Sequence, residues 1–218
     1  LIFSEADVSE IILTGSFGQG EGGVIQNDKS IQIINDLDFI IFPKRNIKKF
    51  KKLYSHKIQK MSYDLLNQIP VKQIDINIGD KKKFHLRKNK FFYTVNTHDT
   101  VHGHKVIFGD SKIQNFKKKY LNTKIPLEEG LKYLYTRGFG ILIYLYDSMN
   151  KDKLTNIDKF IEINKLKLAM GDSFLIYNNM YHHSYVKRFD IAQNISFSEI
   201  KNGRKIKEAY LEAIQWKL

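Results

Sequence analysis

The chain has 218 residues, 42% hydrophobic and 13% aromatic, with 13 Gly and 3 Pro, which excludes disordered, collagen-like and low-complexity classes. It contains no Cys, so disulfide frameworks, thiolate metal sites and cysteine nucleophiles are excluded as well. The net charge of +13 comes from 36 basic residues, only five of them Arg, clustered at 48–52, 81–90 and 117–119; such a surface attracts nucleotides or nucleic acid, and equally suits solvated helix faces.

The apolar run Glu10–Thr14 stopped by Gly15-Ser16 predicts a buried strand ending in a turn. Five glycines follow within residues 15–23, and residues 24–34 predict a hairpin turning at Asn27-Asp28. Asp36–Phe42 reads as a second strand, closed by Pro43. Residues 46–69 carry Ile47, Phe50, Leu53, Tyr54, Ile58 and Met61 at helical spacing, with a lysine-rich outer face and Pro70 as the stop. Gln73–Ile78 alternates strictly and predicts a half-buried strand with Asp75 on its polar face. Over residues 79–124 only a short strand near Lys105–Phe108 is legible.

Pro126 followed by Glu128 and Glu129 suits the first turn of a helix. Beyond it the spacing predicts helices over about 126–149, 156–179, 181–193 and 203–217. The expected organisation is α+β: a mixed sheet with flanking helices in residues 1–124, then an all-helical domain in 125–218. No run approaches the roughly 18 apolar residues of a membrane helix, so a cytoplasmic protein without a membrane partner is expected. No signal-peptide pattern opens the chain, and Leu1 in place of Met leaves a removed leader open.

The chemistry is concentrated in Gly15-Ser16 and the Asp36-x-Asp38 strand. Residues two apart on a strand point the same way, so Asp36 and Asp38 are expected to project together. Paired carboxylates repel one another, and a hard divalent cation relieves that repulsion; magnesium is commonly held by one or two carboxylates plus substrate phosphates. The Gly15-Ser16 turn offers backbone N–H groups, a hydroxyl and room for a phosphate, and Asp75 is placed to complete the cluster. Zinc at His102-Gly-His104 or His182-His183 is disfavoured, because two further ligands are not evident nearby.

A strand, a Gly-Ser turn, an Asp-x-Asp strand and a later lone Asp resemble the nucleotidyltransferase superfamily related to DNA polymerase beta. The resemblance implies two magnesium ions (manganese as the alternative) between Asp36, Asp38 and Asp75, and Gly15 and Ser16 holding the triphosphate. It implies transfer of a nucleotide, AMP from ATP as the first choice, to an acceptor hydroxyl with release of pyrophosphate. Asp75 would help deprotonate that hydroxyl. The gap of 20 residues from Ser16 to Asp36 exceeds the usual spacing, and Asn35 stands where Ser is more usual; the expected hairpin absorbs the extra length.

Residues 126–137, 165–173 and 181–188 look similar to the helical domain of bacterial small-molecule nucleotidyltransferases. That likeness implies a cation reaching the triphosphate, with Lys165 first, then Arg137 and Arg188. It also implies a small-molecule acceptor, with Asp110 in the turn after the 105–108 strand as a contact. RNA or a protein is the alternative acceptor, and a catalytically silent nucleotide-binding module is the competing class.

Overall fold

The computed structural model describes residues 7–27, 30–33, 35–44, 46–84, 93–110, 112–120, 123–150 and 156–218. The chain divides into two compact units, Leu1–Thr123 and Lys124–Leu218, and the architecture is α+β.

The first unit is built on a four-stranded mixed sheet of β1 (Val8–Thr14), β4 (Leu37–Pro43), β5 (Ile74–Ile78) and β6 (Lys105–Gly109), in the order β5-β4-β1-β6. β1 runs antiparallel to both neighbours, while β4 and β5 are parallel. A parallel pair needs a crossover, supplied by α2 (Ile47–Leu66). Asn46 starts that helix by accepting from the Lys48 and Lys49 N–H groups. Its apolar stripe buries Phe50 and Ile58 against Val8, Ile41, Ile76 and Ile78. The Ser62 hydroxyl donates to the Ile74 carbonyl at 2.6 Å, fastening the end of α2 to β5.

Between β1 and β4 lie a one-turn helix, α1 (Gly15–Gln19), and the hairpin of β2 (Val24–Asn27) and β3 (Ser30–Ile33). The hairpin pairs Val24 with Ile33 and Asn27 with Ser30, as the sequence leads one to expect; Asp28 in its turn lies outside the described residues. Two short helices were not legible beforehand, α3 (Val95–His102) and α4 (Asn115–Tyr120). α3 is rich in Thr and Val, poor helix formers. Its start is fixed by the Thr94 hydroxyl accepting from the Thr97 N–H, and it buries Val95 and Val101.

The second unit consists of α5 (Leu127–Asn150), α6 (Asn156–Tyr177), α7 (Tyr185–Asn194) and α8 (Gly203–Lys217). Its core gathers Leu168, Phe174 and Leu175 of α6, Ala192 of α7, Phe197, and Tyr210, Ala213 and Ile214 of α8. α6 and α8 meet at Gly171, where any Cβ would overlap the Tyr210 ring. Helix α5 is joined to α6 by the Ser173 hydroxyl, which donates to the Gly130 carbonyl at 2.8 Å. Among the described residues no helix is long and apolar enough to cross a membrane.

Candidate functional site

The sheet brings Gly15, Asp38 and Asp75 to one end. The last residue of β1, Thr14, is the register partner of Asp38, and Asp38 is in turn the register partner of Asp75 on β5. Adjacent strands lie about 4.8 Å apart, so the two aspartates are direct neighbours on the sheet. Thr14 ties β1 to β4 a second way, its hydroxyl donating to the Asp38 carbonyl at 3.2 Å. Both carboxylates are partly buried, and the Gln73 amide donates to the two Asp75 oxygens at 2.9 and 3.0 Å.

Gly15 follows directly, with φ +65°, a conformation that L side chains rarely adopt. Its bare Cα packs against the Asp38 carboxylate, and an added Cβ would overlap Asp38 Oδ2. The turn expected at Gly15-Ser16 is therefore the first step of α1, in which Ser16 is buried. Gly18 lets that helix lie on the backbone of Leu13 and Gly103, where a Cβ has no room. The glycine-rich stretch then folds back. Phe17 fills the space beside Gly22, and the Gly23 N–H donates to Asn35 Oδ1 at 2.6 Å.

Asn35 was read only as a small polar neighbour of the first aspartate. It is buried and tethers the end of the glycine-rich stretch to the start of β4. Thr14 was also overlooked, although its position directly before Gly15-Ser16 signalled it.

Three expectations need correction. Asp36 lies one residue before β4, because strand pairing begins where the Leu37 N–H donates to the Gln73 carbonyl. It is exposed and has no polar partner among the described residues. No group of three or more His, Asp or Glu side chains converges to hold an ion among the described residues. Asp110 follows Gly109, which pairs with Glu10, whereas Lys105 pairs with Leu13. Asp110 thus sits at the end of the sheet opposite to Asp38 and Asp75.

The third correction is Arg188. Its side chain is 2% exposed, and Nη1 donates to both Asp172 oxygens at 2.7 Å. Nη2 donates to the His183 carbonyl, and the guanidinium lies over the Tyr185 and Tyr181 rings. Burial is the largest single influence and disfavours its charge, but Asp172 together with Tyr181, Tyr185 and Tyr210 outweighs it and keeps the guanidinium firmly protonated. Tyr210 donates to Asp172 Oδ1 at 2.6 Å, and burial followed by Asp172 pushes its phenol well up. Arg188 is therefore a core residue of the helical unit.

The Lys165 ammonium meets Glu162 at 2.7 Å on α6. Arg137, half-buried on α5, has no partner among the described residues, which sets it apart from the other two cations. The helical unit also holds a cavity of about 420 Å³ lined by Leu127, Leu131, Leu134, Met170 and Phe174, a lining without charged groups.

No protein-family model, curated protein or solved structure matches this chain.

Proposed function

We propose that the chain is a metal-dependent nucleotidyltransferase, moving a nucleoside monophosphate from a triphosphate to a hydroxyl acceptor with release of pyrophosphate. The observation that carries this reading is the register pairing of Asp38 with Asp75 beside the Gly15-Ser16 end of β1. Two acids on neighbouring strands, with a glycine packed against one of them, offer a hard divalent cation oxygen ligands from two sides.

The donor set fits a hard divalent cation, since this end of the sheet offers carboxylate, hydroxyl and amide oxygens. Asp38 and Asp75 would hold magnesium or manganese, with Asp36 joining from its exposed position ahead of β4. When bound, such ions neutralise charge on the transferring phosphoryl group. The chain's own groups would do the rest. Ser16 and the backbone N–H groups of α1 orient the triphosphate, and Asp75 accepts the proton of the attacking hydroxyl. Thr14 and Asn35 keep strand and loop in place. The mixed sheet, with β4 parallel to β5 and antiparallel to β1, also suits the nucleotidyltransferase type. ATP is the first-choice donor and a small molecule the first-choice acceptor. From the helical unit, Arg137 now precedes Lys165 as the triphosphate contact.

A second reading is favoured by one specific observation, the position of Asp36 outside the strand. A nucleotide-binding module without turnover would tolerate an unaligned third carboxylate. Incubation with each α-labelled triphosphate, magnesium and cell extract separates the two. The enzyme reading expects label on an acceptor and one pyrophosphate per transfer. Binding of triphosphate without any pyrophosphate release, with RNA and protein fractions included, supports the silent module instead.

A further inference from the structure

A second cavity, of about 800 Å³, opens in the first unit at the far end of the sheet, where Ser9, Pro43 and Gly79 lie. It is distinct from the aspartate pair. Register places Val8 opposite Pro43 and Thr14 opposite Asp38, so the length of β1, about 20 Å, separates the two ends.

The charge of its lining is one-sided. Lys44, Lys48, Lys82 and Lys112 border it, and all four are exposed. Among the described residues none of these four side chains pairs with a carboxylate. A fifth, Lys81, turns its ammonium inward to Glu10 at 2.9 Å; Glu10 is fully buried on β1 and also takes the Ile113 N–H at 3.5 Å. The charge of that buried acid is thus met by Lys81, and it cancels none of the other four. Asp80 is the one acid of the lining, and one of its oxygens is already taken by the Lys82 N–H. The cavity also meets the N-terminal turn of α2, at Asn46 and Ile47, where the helix dipole is positive.

Four cations around one opening repel each other unless an anion joins them. We infer that this cavity is a phosphate-binding site for a ligand carrying several phosphates in a row, separate from the candidate catalytic end. Lysines are point charges with freely turning donors, which suits a flexible phosphate chain better than one planar carboxylate. The described lining contains no aromatic side chain on which a base would stack, so phosphates rather than bases are what it reads. Such a run comes either from a single-stranded nucleic-acid backbone or from a free polyphosphate. The inference does not rest on the nucleotidyltransferase reading.

The test uses the full chain in EDTA, which silences any metal-dependent site at the aspartates. Inorganic tripolyphosphate is titrated by calorimetry, and a labelled twelve-nucleotide oligouridylate by anisotropy. Three variants are compared with the parent: Lys44→Gln/Lys82→Gln/Lys112→Gln, the same three changed to Arg, and Lys57→Gln/Lys60→Gln/Lys105→Gln as an equal loss of charge elsewhere in the first unit, further along α2 and at the other end of the sheet. Both probes are expected to bind the parent. The first variant should weaken binding by at least about tenfold, the Arg variant should largely retain it, and the remote variant should change it by less than about threefold. For the oligonucleotide, losing three contacts should also flatten the log–log salt slope by about two. The probe that binds tighter identifies the source of the phosphates. Equal losses in the cavity and remote variants, or no binding in EDTA, would overturn the inference. Unchanged circular dichroism establishes that each variant is folded.

Discussion

Asp38 and Asp75 are register partners on the parallel strands β4 and β5, while Gly15, at the end of β1, packs on the Asp38 carboxylate. Three segments far apart in sequence therefore meet at two acids. In the proposed reading these two acids hold the ion that a metal-assisted phosphoryl transfer needs.

Replacing Asp38 by Asn should abolish pyrophosphate release, by about 10³-fold or more, because the charge that would hold the ion is gone. The Asn side chain keeps the size of the acid, so the variant should remain folded, with a cooperative melt. Asp75→Asn should behave likewise. Steady-state rates alongside thermal melts check both, and near-normal turnover in Asp38→Asn contradicts the assignment.

Gly15→Ala should cost about 1–2 kcal/mol from the left-handed backbone alone, with a further cost from overlap with Asp38. The expected result is a lower urea midpoint together with lost turnover. An alanine variant with parental stability would mean that the Gly15 backbone is not held as described.

The cations of the helical unit should separate sharply. Arg188→Ala leaves Asp172 buried without its partner and should destabilise by about 3–5 kcal/mol. Lys165→Ala removes a partly exposed helix pair with Glu162 and should change stability by less than about 0.5 kcal/mol. Denaturant unfolding of the two variants tests this. If Arg137 meets the triphosphate, Arg137→Ala raises the nucleotide KM and leaves unfolding unchanged.

His104 gives a pH dependence. It is buried, burial lowers its pKa from the ordinary 6.5, and the nearby Thr100 and Val101 carbonyls only partly offset this. The folded chain thus holds it neutral, while the unfolded chain takes up a proton at the ordinary value. Its contribution to stability is complete above about pH 6.5 and is lost as pH falls towards the lowered native value. Melting temperatures from pH 8 to 5 should fall more steeply for the parent than for His104→Gln, whose amide does not titrate in that range.

Much of this was legible because the signals were local. β1, β4 and β5 follow from short apolar or alternating runs, and α5–α8 from helical spacing; the hairpin follows from its turn residues. α3 was not legible, since its Thr and Val residues favour strands and only the Thr94 cap and burial of Val95 and Val101 make it a helix. Asp36 reads as part of the strand because spacing cannot show where strand pairing starts. Arg188 reads as a triphosphate contact, although Tyr185, three residues earlier on the same helix face, hints at stacking. Its partner Asp172 sits on another helix, and no local pattern links the two. The buried Glu10 was hidden inside an apolar run, and its pairing with Lys81 depends on the sheet bringing the ends of β1 and β5 together.

The most direct test of the central claim is Mn²⁺ binding, followed by electron paramagnetic resonance with a saturating non-hydrolysable ATP analogue. The account predicts that the parent chain takes up Mn²⁺ beyond the amount held by the analogue alone, and that Asp38→Asn and Asp75→Asn each lose that excess while remaining folded. Equal uptake by the parent and both variants would contradict it.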